Sequence, residues 1–150
     1  MTEKLNPVQY AEQIQQWGRG TALGGLGTHF ISAGEGRARA ELAFRPDHAP
    51  LTGRFHIGAI MTLGEETASI AGMWEFNPTR ELRPDLIPLT FQLDFHQVGN
   101  TNRGKLIATA EIVHRGRTLL VVATRIDDDE GKLIATMTVT QIAPRATPTA

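Results

Sequence analysis

Asp47-His48-Ala49-Pro50-Leu51-Thr52-Gly53-Arg54-Phe55-His56-Ile57-Gly58-Ala59-Ile60-Met61-Thr62-Leu63-Gly64-Glu65-Glu66-Thr67 is the stretch on which the fold turns. Its first part carries Pro50 and Gly53, the breakers of a loop, and from His56 the chain runs to about Phe76 without a proline. Along that run the apolar residues Ile57, Ala59, Ile60, Met61, Leu63, Ala68, Ile70, Ala71, Met73 and Trp74 spread around most of a helix circumference. A helix that is apolar nearly all round is buried on nearly all sides. The pattern predicts a central helix over about residues 57–76, ended by Asn77-Pro78.

The rest of the chain must supply the surface that covers this helix. Leu89, Phe91, Leu93 and Phe95 alternate with Thr90, Gln92, Asp94 and His96, the period of a strand with one face inward, so Phe91 and Phe95 are expected in the core. Residues 106–114, 118–127 and 132–142 read as three long antiparallel strands, joined by tight hairpins across Arg115-Gly116-Arg117 and Glu130-Gly131. Ahead of the helix, His29-Phe30-Ile31-Ser32 and residues 37–44 read as shorter strands on either side of Gly34-Glu35-Gly36. Val8, Ala11, Ile14 and Trp17 recur every three or four positions and predict an amphipathic helix over about 7–17. Gly24, Gly25 and Gly27 make the following stretch flexible, and the tail from Pro144 is expected to be disordered. The sum is an α+β chain, a curved antiparallel sheet wrapped around one long helix, in a single domain over 1–150. So small an open sheet has edges to protect, and pairing with a second copy is expected.

Fifteen Lys and Arg against sixteen Asp and Glu leave a net charge of -1, which argues against coating a nucleic acid or an anionic membrane. The absence of cysteine excludes a disulfide framework, a thiolate metal site and a cysteine nucleophile. His29, His96 and His114 lie on different strands with no carboxylate at ligand spacing, so no metal site is expected. The first thirty residues lack the apolar stretch of a signal peptide, and no window reaches the roughly 20 apolar residues of a spanning helix. A soluble, cytoplasmic protein is expected.

The stretch from Asp47 to Thr67 is similar to hotdog thioesterases of the phenylacetyl-CoA and 4-hydroxybenzoyl-CoA type. These carry His-Gly-Gly at the start of the central helix and an acidic residue nine positions after the histidine, a spacing that His56 and Glu65 hold. His114-Arg115-Gly116-Arg117 and Asp129-Glu130-Gly131-Lys132-Leu133-Ile134-Ala135-Thr136 resemble the hairpins that close the family's sheet, and the similarity spans roughly residues 20–143. The resemblance implies the hotdog fold and hydrolysis of an acyl-CoA thioester to free acid and coenzyme A. It also implies a homodimer or homotetramer with sites at the subunit interface. It calls for no cofactor besides the coenzyme A of the substrate.

Thioester hydrolysis puts negative charge on the carbonyl oxygen, which N–H groups at a helix N-terminus stabilise; Ile57 and Gly58 open this helix. A carboxylate must attack the carbonyl or take a proton from water, and Glu65 is the candidate. At about 1.5 Å per residue, Ile57 and Glu65 lie roughly 12 Å apart along the axis, too far to meet at one carbonyl. Glu65 of one subunit is therefore expected to work with the amides of its partner. The resemblance gives Ser69, four residues beyond Glu65, a part in holding substrate or water, and gives Arg115 and Arg117 the nucleotide end of coenzyme A, though as residues flanking a hairpin turn the two arginines read equally well as ordinary solvated positions.

Two positions depart from the pattern. Ile57 is the second residue of the His-Gly-Gly motif, and Pro50, which has no N–H, stands where an asparagine often positions water. They keep open a second reading, a non-hydrolytic acyl-CoA or small-ligand binding protein on the same fold. A dehydratase would use His48, otherwise a loop residue, with an acidic partner in the helix at another spacing, where Thr62 stands. His56 could also simply cap the helix, Met73 and Trp74 read as packing, and Glu66 is expected at the surface or in a salt bridge.

Overall fold

A computed structural model describes residues 4–77, 81 and 84–144. In chain order the elements are helix α1 (Pro7–Trp17), the short helix α2 (Ala22–Leu26), strands β1 (His29–Gly34) and β2 (Arg37–Ala43), and the long helix α3 (Ile57–Phe76). Strands β3 (Leu89–Gln97), β4 (Lys105–Arg115), β5 (Leu119–Asp128) and β6 (Leu133–Ile142) follow. The disorder expected of the tail falls on residues beyond 144, outside the described ones. Among the described residues no helix is long and apolar enough to cross a membrane.

All six strands form one antiparallel sheet in the order β1-β2-β4-β5-β6-β3, and α3 contacts every one of them. The curved sheet around one helix, expected of the sequence, is what the chain forms. Alternation in β2 and β4 turns Ala38, Ala40, Ala108 and Ala110 inward, all but fully buried, with Ala38 opposite Ala110 and Ala40 opposite Ala108. This floor of small side chains leaves room for the larger Ile60, Leu63 and Ile70 of the helix, so the layers interlock. Glu35 and Gly36 both adopt positive φ (56° and 81°), the two-residue turn whose twist suits the β1–β2 hairpin.

Three expectations are corrected. On α1 the inward face is Tyr10, Ala11 and Ile14, whereas Val8 and Trp17 are 52% and 41% exposed. The ring of Tyr10 meets Trp74 of α3 edge-on at 5.0 Å, and this contact sets the helix's rotation. The glycine-rich stretch after α1 is the short helix α2, where Gly24 fits against the Gly18 carbonyl because it has no Cβ. Phe91 is 65% exposed instead of core, because a register shift between Thr90 and Gln92 breaks the strict alternation of β3. Phe95, beyond the shift, packs against the core, as do Met73 and Trp74.

Candidate active site

His56 ends the loop in extended geometry (φ -65°, ψ 139°) and is the N-cap of α3, its Nδ1 accepting the Gly58 N–H at 2.8 Å. A ring nitrogen that accepts is unprotonated, so the neutral ring carries its hydrogen on Nε2. Two backbone bonds seat this corner: His56 N–H donates to the His48 carbonyl (2.8 Å) and Phe55 N–H to that of Thr101 (3.1 Å). Sequence pairs the amides of Ile57 and Gly58; in the fold the Gly58 amide is occupied by His56. Ile57 N–H has no acceptor among the described residues, as expected for the first residue of a helix. The Ile57 side chain is 47% exposed.

Glu65 is half-buried, two turns further along α3. Its Oε1 accepts two hydrogen bonds of 2.7 Å, one from Ser69 Oγ on the same helix and one from Thr90 Oγ1 on β3. Gln141 of β6, fully buried, donates Nε2 to Ser69 Oγ at 3.0 Å and lies 3.5 Å from Thr90 Oγ1. One amide thus orients two hydroxyls, and both aim at one carboxylate oxygen, an acceptor-only group that can take both. Gly72 makes room for that amide, because a Cβ there would collide with Gln141 Oε1.

Thr90 and Gln141 were not anticipated. Thr90 was hidden because alternation assigns it to the wet face, and the register shift in β3 is what turns it inward. Gln141 left a usable sign: it shares the inward parity of Met137 and Val139 and is the polar residue at that end of β6.

Glu66 contradicts its surface assignment. It is 8% exposed, and its Oε2 accepts Thr28 Oγ1 at 2.6 Å. Burial raises its pKa from 4.5 to about 7, the Thr28 hydrogen bond opposes the rise, and the neighbouring Glu65 charge adds to it. Successive helix residues point about 100° apart, and the direction that Glu66 takes is met by Thr28, just before β1 and tied to Gln15 of α1. Both glutamates line one pocket of about 180 Å³ whose walls are otherwise mainly apolar, with Ile14, Trp17, Ile70, Met73 and Ile87.

The other sequence candidates lie apart from this pocket. Arg115 Nε donates to Glu75 Oε1 at 3.0 Å near the C-terminal end of α3, about 27 Å along the axis from Ile57. Arg117 is exposed, with no acidic partner among the described residues. A polar cleft of about 330 Å³ opens by the start of α3, lined by Arg54, Asn100, Arg103 and Lys132 among others. His48 is buried, its Nε2 2.7 Å from the Leu26 carbonyl oxygen, while Thr62 is exposed and donates to the Gly58 carbonyl. The two do not form the acid–base pair of a dehydratase. Among the described residues no group of side chains is arranged to hold a metal ion.

A six-stranded antiparallel sheet wrapped around one buried central helix is the hotdog architecture. No model of a known protein family matches the chain. A Mycobacterium tuberculosis protein provisionally named an esterase is 33% identical over 110 residues, 73% of this chain and 76% of that one. Its solved structure superposes with a TM-score of 0.74, covering 83% of this chain and 97% of that chain. The 1,4-dihydroxy-2-naphthoyl-CoA hydrolase of Listeria monocytogenes is 27% identical over 73% of this chain and 84% of its own. A thioesterase of Haemophilus influenzae shares the fold at a TM-score of 0.78, with 22% identity over 89% of each chain. The chain belongs to the hotdog-fold thioesterase family, and thioester hydrolysis is the class of reaction that goes with it.

Proposed function

We propose that the chain hydrolyses an acyl-CoA thioester, with Glu65 as general base or nucleophile and the Ile57 N–H of a partner subunit as oxyanion donor. The observation that carries this reading is Glu65 itself: a half-buried carboxylate on an apolar helix, one oxygen fixed by Ser69 and Thr90, at the wall of an apolar pocket. The second oxygen is left to meet water or the carbonyl. Such pre-positioning is what acid–base or nucleophilic catalysis requires. His56 occupies the Gly58 amide, so one backbone donor and the dipole of α3 stabilise the oxyanion. The 12 Å between Ile57 and Glu65 supports a site shared by two subunits, as does the edge strand β3, which leaves Leu89 and Phe91 exposed.

A cavity of about 150 Å³ accommodates benzene, so the pocket beside Glu65 suits a ring-sized acyl group. The naphthoyl substrate in the name of the Listeria relative points the same way. Arg115 and Arg117 are kept as contacts for coenzyme A phosphates. The protein works in the cytoplasm.

A panel of aryl and medium-chain acyl-CoA thioesters with a thiol-reactive dye tests this, and a chain without cysteine contributes no background. Free coenzyme A is expected from at least one thioester, and Glu65→Gln is expected to slow its release on the order of 100-fold or more. Full activity in that variant would remove Glu65 from the mechanism. Tight binding without turnover would favour the acyl-CoA binding protein, the reading that Pro50 and the branched Ile57 support.

A further inference from the structure

Glu66 has no task in the proposed reaction, yet it lines the same pocket as Glu65 and is more deeply buried. Burying a carboxyl group costs free energy that a neutral side chain of the same size would not, so its retention beside a ligand-sized cavity asks for a use. Thr28 Oγ1 holds one oxygen, Oε2. Thr28 is itself pinned: Gln15 of α1 donates Nε2 to the Thr28 carbonyl at 3.0 Å and accepts the Phe30 N–H at 2.8 Å. The carboxyl is therefore fixed in orientation, with Oε1 not engaged by any described hydrogen bond. Among the described residues, Glu65 is the only other titratable group lining the pocket.

We infer that Glu66 is a specificity-determining residue: its free carboxyl oxygen hydrogen-bonds a hydroxyl group on the acyl moiety and sets the enzyme against plain hydrocarbon acyl groups. This rests on the reading of the pocket as an acyl site. A hydroxyl suits the position because it donates to an ionised carboxylate and accepts from a protonated one, so recognition holds in both states. With a pKa pushed up to about 7, both states are populated near neutrality. The surrounding Ile14, Ile70 and Met73 pack an aromatic ring equally well with or without the substituent, which leaves discrimination to Glu66.

The test uses two ligand series on the full-length protein. Benzoyl-CoA and its ortho-, meta- and para-hydroxy derivatives report turnover, and the corresponding S-phenacyl-CoA thioethers, which cannot be hydrolysed, report binding by calorimetry. Wild type is expected to favour at least one hydroxylated ring over the plain ring. Glu66→Met is expected to shrink that preference on the order of 10-fold or more, and Glu66→Gln to keep most of it. Equal binding of plain and hydroxylated thioethers by wild type, or a Met variant that weakens both alike, overturns the inference. Loss of the binding preference in Glu66→Met supports it even if no thioester is turned over. In that case it is the hydrolytic reading alone that fails.

Discussion

At the scale of single residues, two adjacent glutamates divide the labour of one pocket because the helix points them in different directions. Glu65 meets hydroxyls at the inner edge of the sheet, and Glu66 meets Thr28 beneath α1. The raised pKa of Glu66 has a consequence for stability. Between 4.5 and about 7 the folded chain holds a proton at this site that the unfolded chain has released, so stability falls as pH rises through that window. The contribution is fully present below about pH 4.5 and gone above about pH 7, and is on the order of 3 kcal/mol. Denaturant titrations across this range are expected to show Glu66→Gln gaining on wild type as pH rises. Parallel profiles would mean that Glu66 does not titrate in the window. That His56 stands at the start of α3 and Glu65 two turns along it was legible in the sequence, and the cap geometry of His56 adds that one amide is already taken. The burial of Glu66 was not legible, because which helix face α1 covers depends on packing between distant segments.

At the scale of elements, the helices and strands follow from periodicity, and the departures have local causes. The period of three to four marked a helix at the N-terminus and its inward Ala11 and Ile14, but not its rotation: Tyr10 takes the inward place expected of Val8, because Trp74 is available to pack against. Gly34 shows how tightly these elements meet. A Cβ at this position would lie 2.8 Å from Pro7 Cγ and 2.9 Å from Trp74 Cε2, both parts of rigid rings. Gly34→Ala is expected to lose about 1–3 kcal/mol in urea denaturation by overpacking. Gly25→Ala, with open space around it, is expected to change stability by less than about 1 kcal/mol. Equal stability of the two variants would show that β1 can move away from α1 and α3 at little cost. The register shift in β3 is the element-scale event with functional weight, because it turns Thr90 toward Glu65 and Phe91 toward solvent.

At the scale of the whole molecule, the decisive number is the roughly 12 Å between a helix N-terminus and a carboxylate on the same helix. If the site is shared, two dead enzymes should make one live one. Ile57→Pro removes the oxyanion donor while keeping a residue favoured at the first helical position, and the extended backbone of His56 accepts a following proline. Mixed and re-associated with Glu65→Gln, it is expected to yield hybrid dimers that each keep one intact site, restoring about a quarter of wild-type turnover. No recovery, with hybrid formation verified by mass, would place both groups in one subunit. Sedimentation of the wild type is expected to give a dimer or a multiple of it.

Period and punctuation in the sequence determined the central helix, the succession of strands and the hairpins between them, because these depend on neighbours within a few positions along the chain. The spacing of His56 and Glu65 belongs with them, since both sit on one helix whose geometry is regular. Tertiary structure alone decided that Thr90 and Gln141 converge on Glu65, that Gly58's amide is occupied, and that Glu66 is enclosed with a hydroxyl partner. Each of these depends on a strand register, a cap conformation or a helix rotation set by contacts between segments far apart in the chain. Such contacts are chosen by the packing of the whole core, and local pattern does not encode them.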